Sequence, residues 1–230
     1  MSEQNLFRNY LQLMLAIKHC IKENLVMPAL VLIYTAIDSV SWLAMRGQAS
    51  KVVGQRFQGW VNDWMLKAKG LPCTAEELYA ARYGVLHTLT PDSSLSTEKG
   101  VRRVLYAWGN AKVENLQKSI DTLQEHNVVA IHLNDLFEAF RLGFADFIDS
   151  TMKDPEAAKH FVSKAAKHFA NIDKKTMDTF LRSARHNKSF ERTTPPDGGA
   201  TALPTHITRT PVFAENLRAV LPLNPRLDLE

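Results

Sequence analysis

Arg82 and His87 are the two residues of this 230-residue chain whose types and spacing could together act on a substrate. They stand in the segment Arg82-Tyr83-Gly84-Val85-Leu86-His87. A guanidinium keeps its charge at any physiological pH, and its planar fork of donors matches phosphate oxygens. An imidazole exchanges protons near neutral pH. The pair is the smallest set that metal-free cleavage of RNA requires. The imidazole would move protons for attack by a 2′-hydroxyl, and the guanidinium would stabilise the charged phosphorus centre. At about 100° per residue, five positions leave the two residues about 140° apart around a helix. The expectation is therefore that one helix cannot offer both to one phosphate, whereas two copies meeting at a twofold axis could, so a homodimer is expected. The same spacing also arises by chance. In that case Arg82 is a surface residue and His87 bonds to the last carbonyls of its helix.

Two neighbours could support the pair. Tyr83 can hydrogen-bond or stack on a base. Asp38 is the one group ionised at neutral pH inside the apolar stretch from Leu25 to Met45, and a buried carboxylate needs a partner. Nearby hydroxyls, Arg82 or His87 are the candidates, and a structural role for Asp38 is favoured. Other chemistry is not indicated. The eight histidines contain no His-x3-His, and neither Cys20 nor Cys73 has a second cysteine two to four positions away. His160 and His168 are expected at the surface. No glycine-rich phosphate loop and no nucleophile elbow occur. No metal or cofactor is expected.

The elements that must position these residues are helical. Leu6, Tyr10, Leu13, Met14, Ile17 and Ile21 recur at three- and four-residue steps and predict a first amphipathic helix. Pro28 suits the first turn of a second helix, running to about Arg46 with Gly47 at its end. It is apolar nearly all round. Pro28, Thr35, Asp38, Ser39 and Ser41 argue for a buried core helix rather than a membrane span. A third helix carries Val53, Phe57, Trp60, Val61 and Trp64 and ends near Gly70-Leu71-Pro72. A fourth begins at Thr74-Ala-Glu-Glu77, a capping box, and runs through Leu78, Ala81 and Val85 to His87.

Pro91 to Gly100 reads as a loop. Val101–Trp108 and Val128–Leu133 are short β-type runs. Val113, Leu116, Ile120 and Leu123 keep helical spacing between them, so a two-stranded sheet with an intervening helix is expected. Leu136 to Met152 predicts a helix with Phe137, Phe140, Phe144 and Phe147 on one face. Asp154-Pro155-Glu156 starts another. A last helix is expected from Asp173 to about Arg185.

The reading is a mainly all-α helical bundle over residues 1–185, with a Pro-rich, loosely ordered tail over 186–230. In that tail Val212, Phe213, Leu217, Val220 and Leu221 could form a short docking helix. Hydrophobic residues at 45% suffice for a full core, and a net charge of +4 permits a phosphate-bearing partner without requiring one. Residues 153–192 hold ten Lys or Arg against five Asp or Glu: a solvated face, or a surface for RNA or an acidic partner. The start, MSEQNLFRNYLQ, lacks a secretory pattern, and two cysteines make no disulfide framework. A cytoplasmic protein without a membrane role is expected.

Leu30-Val-Leu-Ile-Tyr-Thr-Ala-Ile-Asp-Ser39 and Tyr79-Ala-Ala-Arg-Tyr-Gly-Val-Leu-His87, on an apolar second helix and a later motif helix, resemble the HEPN superfamily and its Arg-x4–6-His helix. The resemblance covers roughly residues 4–90, with the later helices as additions. It implies an all-helical bundle, usually dimeric, with the motif at the dimer interface. Many members are metal-independent RNases of toxin–antitoxin, anti-phage or RNA-processing systems. Others are inactive and bind nucleotides or protein partners. Matched by position, Arg82 and His87 would be the active pair. In active members the residue after the arginine is commonly Asn, Asp or His, and here it is Tyr83. A non-catalytic interaction module of a stress-response or defence system is therefore the second reading.

Overall fold

The computed structural model describes residues 2–45, 52–90 and 100–166. The expected helix at 173–185, the tail at 186–230, and most of the basic run lie outside them. So do Arg46, Gly47, His168 and, of the expected loop from Pro91 to Gly100, all but Gly100.

The three-and-four spacing of the first segment forms α1 (Ser2–Lys22), which buries Leu6, Tyr10, Met14 and Ile17 in one stripe. The chain turns at Asn24, whose φ is +55°, and enters α2 (Val26–Ala44) with Pro28 in its first turn. Pro28 fits there because the first amides of a helix have no internal acceptor. α2 is the one helix among the described residues long and apolar enough to cross a membrane. In this fold it packs against α1 and four later helices, burying Ile33, Tyr34, Ile37, Val40 and Leu43. The Tyr10 hydroxyl donates to Ser39 Oγ at 2.7 Å across the α1–α2 contact. The C-terminal carbonyls of α2 carry the negative end of its dipole, and a cation meets them. Lys164 Nζ donates to the carbonyls of Trp42 and Met45, both at 2.5 Å.

α3 (Val53–Trp60) continues through a π-helical turn, Val61–Met65, to a last α turn at Leu66–Ala68. α4 (Ala75–His87) opens on the expected capping box: the Thr74 amide donates to Glu77 Oε2 at 2.8 Å, and the Glu77 amide donates to Thr74 Oγ1 at 3.1 Å. Glu77 is buried and also accepts from Arg102 Nε at 2.5 Å, so its charge is paired.

β1 (Arg103–Ala107) and β2 (Val128–His132) pair in parallel, Arg103 opposite Val128 and Ala107 opposite His132. A parallel pair needs a crossover, and α5 (Val113–Thr122) supplies it. One sheet face joins the main core through Val104, Val129 and Ile131. The other makes a small core of Ile120, Val128 and Ala130 under α5. Gln117 Oε1 accepts from the Ala130 amide at 3.0 Å, satisfying a strand donor from a side chain.

α6 (Leu133–Lys153) follows β2 directly and buries Phe137, Phe140, Phe144 and Phe147 as its spacing predicts. Phe144 stacks on Tyr10 with centroids 4.7 Å apart, and Phe140 meets Trp60 at 5.9 Å. Asp154 then caps α7 (Pro155–Ala165), accepting from the amides of Glu156 and Ala157. The described chain is therefore mostly helical, with seven helices and one small parallel sheet.

Candidate functional site

α2 and α4 build the site between them. Asp38 faces α4 from the second half of α2. Arg82, Tyr83 and His87 lie along the last turns of α4, which the capping box fixes at its other end.

Arg82 Nε and Nη2 both donate to Asp38 Oδ2, at 2.8 and 2.6 Å. Both side chains are largely buried, Arg82 at 15% exposure and Asp38 at 18%. The pairing explains how an ionisable group survives on an apolar helix: the charge is matched by a guanidinium that cannot deprotonate. The hydroxyl of Ser41 bonds to the backbone carbonyl of Asp38, not to its carboxylate. Asp38 Oδ1 is buried and has no hydrogen-bond partner among the described residues.

The third guanidinium nitrogen points the other way. Arg82 Nη1 lies 3.5 Å from His87 Nε2. The expectation that helical geometry separates the two residues is therefore corrected. The 140° angle describes where the side chains leave the axis, and the reach of the Arg82 side chain closes the gap within one protomer. Arginine can only donate, so this contact is a hydrogen bond when Nε2 carries a lone pair rather than a proton. That is the form in which His87 could accept a substrate proton.

The alternative role for His87, bonding to the last helix carbonyls, is taken by its neighbour. The amide and hydroxyl of Thr88 donate to the Gly84 carbonyl at 3.0 and 2.9 Å. His87 is exposed, with its ring 4.6 Å from that of Tyr83 and tilted 54° to it. Tyr79, one turn before Arg82, lies beneath the guanidinium, with Arg82 Cζ 6.0 Å from the ring centroid. Tyr79 is itself braced against Phe57 and the closely approaching Gly54. The arrangement offers a guanidinium edge and a ring nitrogen on the surface, with Asp38 setting the guanidinium's orientation.

Three further polar groups near these elements were not apparent from the sequence. The hydroxyls of Tyr34 and Tyr106 lie 2.5 Å apart, joining α2 to β1. Burial pushes both phenols well above their ordinary range, so neither ionises near neutral pH. The Cys73 thiol is pushed up to about 12 by burial, with Glu77 adding to the effect and Arg102 opposing it. It is no nucleophile at neutral pH. Their pairing joins distant segments, and no local pattern marks it.

A cavity of about 270 Å³ lies where α2, the π-helical turn, α6 and α7 meet, lined by Leu43, Trp64, Phe147, Thr151, Asp154 and His160 among others. None of the candidate residues lines it. Two of its polar residues already serve the fold: Asp154 caps α7, and His160 Nε2 contacts the Met45 carbonyl at 3.1 Å. Among the described residues, no three or more His, Cys, Asp or Glu side chains gather as a metal ion would need.

Comparison with models of protein families, with curated proteins and with solved structures finds no match to this chain.

Proposed function

We propose that this chain is an RNA-directed, HEPN-type protein in which Arg82 and His87 cleave RNA without a metal. The observation that carries the reading is the 3.5 Å approach of Arg82 Nη1 to His87 Nε2 on an exposed helix edge. In the proposed step, a phosphoryl oxygen replaces Nε2 as the acceptor of Arg82 Nη1, and the freed lone pair of His87 Nε2 takes the proton of a 2′-hydroxyl as that oxygen attacks the adjacent phosphorus. The bond from phosphorus to the 5′-oxygen breaks, and the proton held by His87 passes to the leaving oxygen. The products are a 2′,3′-cyclic phosphate and a 5′-hydroxyl. Arg82 stabilises the negative charge that builds on the phosphoryl oxygens. A net charge of +4 favours approach to RNA. A cytoplasmic site of action, with no membrane role, belongs to the same proposal.

The test is incubation of the purified protein with mixed RNAs in EDTA, followed by analysis of the product ends. Cleavage leaving cyclic phosphates, and lost in His87→Ala, is expected. No cleavage, or cleavage indifferent to His87→Ala, contradicts the catalytic reading. A homodimer is proposed on the resemblance alone, since one protomer already brings Arg82 to His87. Light scattering measures it, and a monomer leaves the cleavage step intact.

One observation favours a second reading, a non-catalytic module that binds nucleotides or a protein partner. Asp38 engages two of the three nitrogens of Arg82 and balances its charge. Recovery from its native cell in a stable complex, without RNase activity, would support this reading. Recovery as a partner-free RNase would count against it.

A further inference from the structure

Tyr83 stands out on α4 because its ring is held at the surface while its neighbours are used by the fold. It is 39% exposed, whereas Tyr79, one turn earlier, packs on Phe57 with ring centroids 5.5 Å apart. His87 lies one turn further on, its ring 4.6 Å from that of Tyr83, and residues four apart on a helix share a face. The 54° between the two planes means that the His87 ring does not stack flat on Tyr83. An exposed aromatic ring thus stands beside the place where Arg82 Nη1 and His87 Nε2 converge. A phosphate held at that point would bring the base of its own nucleotide within reach of Tyr83.

We infer that Tyr83 is the base-stacking residue of this site and selects single-stranded over duplex RNA; the inference rests on the RNA-directed reading above. Aromatic rings bind bases through their π faces, which every base has, so stacking is tolerant of sequence. In an A-form duplex those faces are covered by neighbouring bases, and only an unpaired base can be laid on a protein ring. The chemistry requires the same preference, since in-line attack by a 2′-hydroxyl needs a backbone free to leave A-form geometry. A polar residue in place of Tyr83 could hydrogen-bond to the substrate but could not supply this surface.

The experiment measures fluorescence anisotropy in EDTA with three 2′-O-methyl probes, which lack the attacking hydroxyl and stay intact: a labelled single-stranded oligouridylate, its duplex with oligoadenylate, and an abasic strand of the same length. The wild type should prefer the single strand over the other two. Tyr83→Ala should weaken single-strand binding about tenfold, the usual worth of one stacked base, and leave duplex and abasic binding unchanged. Tyr83→Phe and Tyr83→Trp should keep the preference. Thermal melting of Tyr83→Ala should match the wild type, because the residue is exposed. Single-strand affinity unchanged in Tyr83→Ala but reduced in Arg82→Gln would overturn the stacking role while leaving the RNA reading in place. Equal loss on all three probes in Tyr83→Ala would also overturn it. A wild type that binds none of them would overturn both.

Discussion

At the scale of single residues, the guanidinium of Arg82 is divided between two tasks. Nε and Nη2 are tied to Asp38 Oδ2, and Nη1 is left to face His87. Asp38 therefore holds the guanidinium in one orientation. Asp38→Asn keeps the shape and an acceptor but removes the charge. Charge-assisted hydrogen bonds exceed neutral ones in strength, so a stability loss of about 2 kcal/mol is expected. If Arg82 works on phosphate, turnover should fall roughly 10- to 100-fold because the fork is less firmly held. RNA affinity should hold or rise, since Arg82 is no longer neutralised. Melting curves and single-turnover rates on this variant check both. Unchanged stability would mean that the 2.6 Å contact contributes little. The sequence left nearby hydroxyls, Arg82 and His87 open as partners of Asp38, and Arg82 is the one that pairs. It did not reveal that Arg82 and His87 meet, because helical spacing locates the start of a side chain and not the end of a long one.

At the scale of elements, the legible parts were those written locally. The Thr74–Glu77 box and the Asp154–Pro155 start rest on residues within four positions of each other, and both form as expected. The β1–α5–β2 unit was legible because its period changes from apolar runs to helical spacing and back. The π-helical turn at Val61–Met65 was not, because no residue type marks it. Its tertiary neighbour is Gly143 on α6. A Cβ there would stand 2.7 Å from Met65 Cα and 2.8 Å from Met65 N, both backbone atoms that cannot swing aside. Gly143→Ala should raise the helix propensity of α6 yet destabilise the protein by about 2 kcal/mol, because overpacking against backbone outweighs propensity. Chemical denaturation checks this. A more stable Gly143→Ala would contradict the close crossing.

At the scale of the whole molecule, α2 is the element on which the rest converges. It carries Ser39 to Tyr10, Tyr34 to Tyr106, Asp38 to Arg82, and its last carbonyls to Lys164. Tyr10, Tyr34, Tyr106 and Cys73 are all held neutral, and burial is the largest cause in each. Each keeps its proton in the folded state at a pH where the unfolded chain has released it. The unfolded state then binds fewer protons, so stability falls as pH rises. The loss should begin near pH 9.0, the ordinary value of the thiol, and continue toward about 12 as the tyrosines add their share. Tyrosinate absorbance for these three residues should appear together with loss of helical circular dichroism. Their ionisation while the helices persist would contradict the buried placement. The central claim is that the Arg82–His87 edge works on RNA, and His87→Ala tests it most directly, because His87 is exposed and the Arg82 Nη1 contact it gives up lies at the surface, where water can replace it. Melting temperature, affinity for a 2′-O-methyl RNA that cannot be cleaved, and single-turnover cleavage of RNA in EDTA should be measured on this variant and on the wild type. The account predicts unchanged melting, affinity within a few-fold, and cleavage lost, the pattern of a group that acts in the transition state. Equal cleavage by the two proteins, or none by the wild type, would contradict it.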